Sequence, residues 1–190
     1  KINQNPHFVY LAYFAPGVIK VGISQEERGI RRLLEQGACL ALKLETFSSA
    51  LIARQYEAKI AGLDGIVETM PIHKKLELIK QPFDRADGEE KLRQKLLEIE
   101  QKIGVSFPKS ELIPCEDYFH TAGVDLTRVV LMKDQNQLAG RVRSIIGPIL
   151  IADYDGQLLA YNVKKFIGYQ AQTIDGAINI EIPSTQLALF

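Results

Sequence analysis

Two hydrophobic runs near the N-terminus, joined by a tight turn, most constrain how this chain can fold. Residues 7–14 are rich in aromatic and β-branched side chains, and residues 18–24 form a second run of this kind. Such side chains favour β-strands. The intervening Ala15-Pro16-Gly17 is typical of a turn. The sequence therefore predicts a β-hairpin with a three-residue loop.

The segments after the hairpin predict a helix, a strand and a second helix. Residues 25–36 place their apolar side chains on one helical face and end before Gly37, a natural helix stop. Residues 41–47 alternate between apolar and polar side chains and predict a third strand. Ser48 or Ser49 then caps a helix of about four turns.

Beyond this point the pattern changes twice. Residues 72–80 predict a short helix, and a longer helix begins near Asp87 and ends at Gly104. This longer helix has a heptad-like row of apolar residues, Leu92, Leu96, Ile99 and Ile103. We expect that row to pack on a neighbouring domain, since it is too short for a stable coiled coil. An exposed row would instead indicate an assembly surface.

The last part of the chain is β-rich. Turn signals separate five strand candidates, 128–133, 138–144, 149–153, 157–163 and 178–182. The whole chain is therefore predicted to be an α+β protein. We expect a three-stranded antiparallel sheet with flanking helices over residues 1–66, a helical connector over 67–104, and a small antiparallel β-barrel-like domain over 105–190.

Charge gives weak evidence about partners. The formal net charge is zero, with 23 basic and 23 acidic residues, so a global basic footprint for nucleic acid is missing. Residues 1–60 nevertheless carry eight Lys or Arg residues against five acidic residues. This local excess favours a phosphate-facing N-terminal module.

Other features limit the possible sites and compartments. The two cysteines, Cys39 and Cys115, are expected to be buried free thiols in a reducing cytoplasm. No apolar run is long enough to cross a bilayer. The three histidines are scattered, which argues against a metal site built from Cys and His alone. The first residue is Lys1, and we expect the native start to lie upstream.

The residues of the hairpin and the following helices resemble the GIY-YIG nuclease superfamily. Phe8-Val9-Tyr10 stands where the first name motif would be, and Lys20-Val21-Gly22 stands where the second would be. A likeness over more of the chain is to the uncharacterised family called domain of unknown function 2797. It rests on IKVGIS, RRLLEQGA, GRVRSIIGPILI and NVKKFIGY. Members of that family often have a cysteine-rich stretch before the hairpin, which is absent from this sequence.

The superfamily resemblance implies a metal-dependent phosphodiesterase. Tyr10 would help to deprotonate the attacking water, Arg32 would stabilise charge on the phosphate, and Glu57 would hold one Mg²⁺ or Mn²⁺. Lys20, which replaces the second motif tyrosine, would bind phosphate or lower the pKa of Tyr10. Gly22 would allow close approach of backbone or phosphate.

Several further residues are expected to support binding or structure. Arg28, Arg31 and Arg54 are candidate contacts to a nucleic acid backbone, and Gly37 is part of the structural motif. Each of these residues also has a structural explanation, because arginines normally occupy the solvent face of a helix. Arg141, Arg143, Tyr161, Phe166 and Tyr169 suggest a face that stacks bases, although a solvated face with core aromatics explains them better.

Three functions remain open from the sequence: a nuclease acting on DNA or RNA, an inactive nucleic-acid-binding module with the same fold, and an assembly protein. A nuclease requires the Tyr10 hydroxyl, Arg32 and Glu57 to converge on one open groove. A binding module requires only the basic groove. A phenol sealed inside the fold, or a carboxylate turned away from the hairpin, would contradict cleavage.

Overall fold

A computed structural model describes residues 4–132, 136–170, 172, 174, 176 and 178–183. Its first sheet is built around the predicted hairpin, β1 (His7–Ala15) and β2 (Val18–Gln25), with β3 (Leu40–Phe47) on the other side of β1. Two short strands, β4 (Ile66–Val67) and β5 (Glu111–Ile113), complete the order β4-β2-β1-β3-β5. The predicted strands are confirmed.

The expectation of a three-stranded antiparallel sheet is wrong in strand number and direction. β4 runs parallel to β2, whereas β1, β2, β3 and β5 pair in antiparallel fashion. Strands as short as β4 and β5 carry too few residues for a periodic pattern, which explains why the sequence did not indicate them. β5 also comes from the segment assigned to the C-terminal domain, so the predicted boundary at 104/105 does not coincide with an edge of this sheet.

β1 is the centre of the structure, and all nine of its residues are buried. Its odd-numbered side chains from Val9 to Tyr13 pack with α2 (Ala50–Ala61) and α4 (Arg85–Ile103). Its even-numbered side chains from Phe8 to Phe14 pack with α1 (Gly29–Leu34) and α3 (Ile72–Leu78). A strand covered on both faces has a continuous apolar sequence, as this one does.

The two helices predicted after β2 and β3 have different outcomes. The segment predicted as one helix over 25–36 is a 3₁₀ turn, Glu26–Arg28, followed by the six-residue α1. Gly29, with φ of 46°, interrupts the helix between them. The cap of α2 is confirmed, because the Ser49 side chain accepts a hydrogen bond from the Ile52 backbone N–H.

The apolar row of α4 packs into the protein. Leu92 and Ile99 are fully buried, and Leu96 and Ile103 are partly buried against the same core. The helix begins at Arg85 rather than near Asp87, because Asp84 caps it: the Asp84 carboxylate accepts a hydrogen bond from the backbone N–H of Asp87. The interpretation as a helix that packs on its neighbours is confirmed, and the exposed row that an assembly surface requires is absent from this helix.

The second sheet is open. It contains β6 (Val130–Leu131), β7 (Arg141–Ile146), β8 (Ile149–Tyr154) and β9 (Gln157–Asn162), in the order β6-β9-β8-β7. The pair β6 and β9 is parallel, and the other pairs are antiparallel. The described residues therefore do not form the expected closed barrel. Residues 178–183 have no regular secondary structure, so the fifth strand candidate is also wrong.

Two glycines join the sheets. Gly147, in the turn between β7 and β8, lies directly against Gly37, which follows α1. A Cβ atom at Gly147 would lie 2.6 Å from the Gly37 backbone nitrogen. Both glycines have positive φ angles, 72° at Gly37 and 55° at Gly147. The EQGA segment and the IIGP segment are therefore direct neighbours in space, and only residues without a side chain fit at their contact.

We expect Gly147→Ala to lower the free energy of unfolding by at least ~2 kcal/mol, because it combines an unfavourable φ with a backbone collision. Gly156→Ala is the matched control. Gly156 also has a positive φ, 80°, but no atom lies within 4 Å of its added Cβ. Gly156→Ala should lower the free energy of unfolding by only about 1 kcal/mol, because the unfavourable φ is its only cost. Urea unfolding of both variants measures the difference, and equal losses would contradict the proposed contact.

Candidate functional site

Tyr10 and Gly22 face each other across the hairpin. They are register partners in the β1–β2 pair. A Cβ atom at Gly22 would lie 2.5 Å from the Tyr10 Oη and 2.6 Å from Cζ, so the tyrosine ring crosses over the glycine. Gly22 therefore allows the close approach expected of it, although its neighbour is a protein side chain. This packing fixes the phenol on the α1 side of the sheet.

The Tyr10 hydroxyl is sealed inside the fold. The residue is 0% exposed, and its Oη makes no hydrogen bond of good geometry with a described residue. The Arg32 guanidinium lies beside the hydroxyl, and the Arg32 Nε atom is also buried without a partner of good geometry. An accessible general base at Tyr10 is therefore not what the structure shows.

Burial decides the ionisation of Tyr10. Loss of solvent raises the pKa of the phenol above its ordinary value of 10.0, and this effect outweighs the opposing influence of Arg32 and Arg28. The expectation that a cation lowers the pKa of Tyr10 overall is wrong, because desolvation is the larger cause. The phenol is neutral at physiological pH.

Lys20 lies close to the Tyr10 ring. It is 9% exposed, its Nζ donates a hydrogen bond of 2.9 Å to the Val21 carbonyl oxygen, and it lies 5.8 Å from the centre of the Tyr10 ring. Burial lowers the pKa of Lys20, and the charge of Arg32 lowers it further. Glu57 and Glu68 act in the opposite direction. Lys20 is thus a buried cation on which Arg32 acts in one direction and Glu57 and Glu68 act in the other.

Glu57 is turned toward the hairpin. It is half-buried on α2, which packs against β2. The backbone of Ile23 on β2 helps to lower the pKa of Glu57. Burial raises the pKa of Glu57, and Lys20 opposes this more strongly than Arg54 does. The Glu57 carboxylate therefore lies within electrostatic range of Lys20 and Glu68.

The arginines on the α1 side are largely compensated. Arg28 donates two hydrogen bonds to the Glu35 carboxylate, of 2.8 and 2.6 Å, and Arg32 lies 3.6 Å from it. The Arg28 and Arg32 side chains remain 40% and 31% exposed. Arg31 and Arg54 are exposed on α1 and α2. Glu35 therefore neutralises part of the positive charge that α1 carries.

The described residues offer a divalent cation few ligands. They contain no group of three or more His, Cys, Asp or Glu side chains placed to hold a metal ion. Glu57 supplies one carboxylate, and Glu68, directly after β4, is the second acid that acts on it. A carboxylate completed by water molecules is a normal Mg²⁺ environment, so the residues present fit a minimal site of this kind.

Sequence reasoning missed three charged residues near this site: Glu68, Lys75 and Lys164. Glu68 follows a two-residue strand that gave no periodic signal, and Lys75 resembles any lysine of an amphipathic helix. Lys164, beside Lys165, resembles any solvated lysine of a turn. None of the three could be connected to the hairpin before the chain was folded.

Two cavities have linings that do not include the candidate site residues. One, of about 320 Å³, lies between α1 and β5 and includes Phe8 and Lys43 in its lining. The other, of about 920 Å³, includes Lys165, Phe166 and the exposed Tyr169. Tyr161 is buried, and its hydroxyl is bonded to the Ala139 backbone, so it belongs to the core rather than to a base-stacking face.

We expect Tyr10→Phe to raise the free energy of unfolding by about 1 kcal/mol, because it removes a buried hydroxyl that lacks a good partner. Tyr161→Phe is the matched control and should lower stability by about 1 kcal/mol, because its hydroxyl donates to the Ala139 oxygen at 3.0 Å. Chemical denaturation measures both changes. A Tyr10→Phe variant as destabilised as Tyr161→Phe would show that the Tyr10 hydroxyl is well bonded.

Comparison with known proteins gives a family but no characterised relative. The chain matches neither a curated protein nor a solved structure. No described helix is long and apolar enough to cross a membrane. A family model described as "Protein of unknown function (DUF2797)" matches residues 1–171. The chain therefore belongs to the DUF2797 family.

Proposed function

We propose that this protein binds the phosphate backbone of a nucleic acid in the cytoplasm through the cations around the β1–β2 hairpin, without needing to cleave it. One observation carries this proposal. Tyr10 is buried and neutral, whereas several cations lie on β2 and on the helices on both sides of it. The fold and the cations around the hairpin fit the binding module. The accessible phenol that hydrolysis requires is not part of the structure.

The charges around the hairpin support contact with phosphate. Six cations, Lys20, Arg28, Arg31, Arg32, Lys43 and Arg54, lie on the hairpin or on the elements next to it, against five carboxylates, Glu26, Glu27, Glu35, Glu57 and Glu68. Arginine forks suit phosphate oxygens because they donate two parallel hydrogen bonds and keep their charge. The excess is small, so we expect weak, strongly salt-dependent binding with little sequence preference.

Removing Arg32 should weaken binding. We expect Arg32→Gln to reduce affinity for single-stranded DNA or RNA about 5–10-fold at about 50 mM salt, and to reduce the salt slope by about 1. Arg93→Gln is the matched control, because Arg93 is exposed on α4, on the other side of the first sheet. Fluorescence anisotropy measures both. Equal affinities of the two variants, or no binding by the wild type, would refute the proposal.

Removing Glu35 should have the opposite effect. Glu35 neutralises Arg28 and Arg32, so Glu35→Gln frees both side chains for a phosphate. We expect its affinity to exceed that of the wild type by about 3–10-fold at low salt, with a steeper salt dependence. The ion pairs are solvent-exposed and should contribute little to stability. A gain in binding without loss of stability separates a ligand-binding role from a structural one.

A second candidate, metal-dependent cleavage, is favoured by one observation: Arg32 and Glu57 both act electrostatically on Tyr10. This is the trio implied by the GIY-YIG resemblance. In this candidate Arg32 moves from the hydroxyl to the phosphate and thereby exposes the phenol. Glu57, with Glu68 acting on it, would hold Mg²⁺ or Mn²⁺, and the ion would supply charge neutralisation at the phosphate.

A cleavage assay distinguishes the two candidates. If this protein is a nuclease, labelled DNA or RNA is cut with Mn²⁺ or Mg²⁺, and both Glu57→Ala and Tyr10→Phe reduce the rate by at least ~100-fold. Our binding proposal predicts no cleavage by any of the three proteins, and unchanged binding by Tyr10→Phe. Calorimetric titration with Mn²⁺ provides a separate test, since loss of metal binding in Glu57→Ala does not depend on activity.

A further inference from the structure

The cavity between α1 and β5 reaches from the core to the surface. Its volume is about 320 Å³, and both the buried Phe8 and the exposed Tyr118 line it. Most of the other residues around it are apolar, among them Ile30, Leu33, Ile113 and Pro114. An apolar cavity of this size with a few polar groups is the usual form of a ligand site.

The polar groups of this cavity are a cation and an acid that lie side by side. Lys43 and Glu111 both line it, and they are register partners in the β3–β5 pair. Partners of this kind have Cβ atoms about 4.5–5.5 Å apart on one face of the sheet. The Lys43 Nζ lies 5.2 Å from the centre of the Phe8 ring and donates a hydrogen bond of 2.7 Å to Glu26. An ammonium group has three donor hydrogens, so others remain for a ligand.

Tyr118 is an exposed aromatic residue on a backbone that is fixed on both sides. It ends the 3₁₀ turn after β5, and 52% of it is exposed. Within that turn, the Glu116 backbone N–H donates a hydrogen bond of 3.0 Å to the Cys39 carbonyl oxygen. After it, the Phe119 carbonyl oxygen accepts a hydrogen bond of 2.6 Å from the Ser144 hydroxyl. An exposed ring held in this way is suited to stacking on a planar ligand.

The cavity shares α1 with the cations of the proposed function. Gly29 and Leu33 line the cavity, and their chain neighbours Arg28 and Arg32 are two of those cations. A planar ligand with hydrogen-bonding groups on its edge, carried on a chain of phosphates, matches both features. A nucleotide strand has this chemistry, because its bases stack on aromatic rings while its phosphates contact arginine.

We propose that this cavity binds one unpaired base of a single-stranded nucleic acid. Tyr118 stacks on the base, Glu111 accepts a hydrogen bond from its amino group, and Lys43 donates one to the neighbouring ring nitrogen. Cytosine and adenine carry that pair of groups, whereas uracil and thymine do not. The inference rests on the proposed function in one respect: the base belongs to the strand whose phosphates contact α1. A duplex cannot supply such a base without unpairing it.

A strand without bases separates the cavity from the phosphate contacts. We compare oligo(dC) with an abasic oligonucleotide of the same length, by fluorescence anisotropy at about 50 mM salt. We expect Tyr118→Ala to weaken oligo(dC) binding about 10-fold and to leave the abasic strand unaffected. Tyr118→Phe keeps the ring and should bind like the wild type. Tyr169→Ala is the matched control, because Tyr169 is exposed at the other cavity.

The outcomes distinguish this inference from the proposed function. Equal wild-type affinities for the two strands, or equal losses in Tyr118→Ala and Tyr169→Ala, would overturn the base site and leave the phosphate contacts standing. Ligand-observed NMR with millimolar cytidine, which has no phosphate, tests the cavity alone. Cytidine binding that is lost in Tyr118→Ala, without binding of either strand, would support the cavity and refute the proposed function. Absence of all three would refute both.

Base preference tests the roles of Glu111 and Lys43. The wild type should bind oligo(dC) about 5-fold more tightly than oligo(dU) of the same length. Glu111→Gln should reduce this ratio, because an amide can also donate a hydrogen bond to the uracil carbonyl. Glu35→Gln is the control, since it also removes a negative charge beside α1 and should raise both affinities while leaving the ratio unchanged. An unchanged ratio in Glu111→Gln would overturn the proposed recognition of the base.

Discussion

The burial of β1 on both faces is the constraint on which the rest of the structure depends. A strand with nine buried residues needs a partner strand along each edge and a layer of helices above and below. Each large apolar side chain removed from water stabilises the fold by about 1.5–3 kcal/mol. The elements next to β1 therefore contribute to stability by covering its side chains. The hairpin, β3 and all four helices follow from that need.

The same constraint determines the character of the candidate site. Because Tyr10 lies in a strand covered on both faces, its phenol is surrounded by protein, and a neighbouring cation is insufficient to ionise it. Arg28, Arg32 and Glu57 near it lie on the covering elements and remain partly exposed to solvent, whereas Lys20 on β2 is buried. A sealed phenol beside partly exposed cations is the physical reason to prefer ligand binding over chemistry at this location.

Local patterns predicted the parts of the fold that depend on neighbours in sequence. The strands of the hairpin, the Ser49 cap and the buried row on α4 were all visible, because each follows from periodicity or from one hydrogen bond. Features set by distant residues were not visible. Gly29 breaks the helix predicted over 25–36, Glu68 reaches Glu57 only through a parallel pairing, and Lys75 becomes buried only when α3 docks. The sequence likewise placed Tyr10 on a strand but could not indicate that helices bury this strand on both faces.

The position of β5 has a consequence for how the chain can be divided. This strand follows α4 in sequence, yet it covers the outer edge of β3, and α4 itself covers one face of the central strand. A polypeptide ending at residue 66 would carry the hairpin and most of the cations near it. It would, however, expose the β3 edge of its sheet and a large apolar surface. Such a fragment would tend to self-associate through strand addition. The smallest autonomous unit that contains the hairpin must therefore extend past Ile113, well beyond the segment that carries its recognisable motifs.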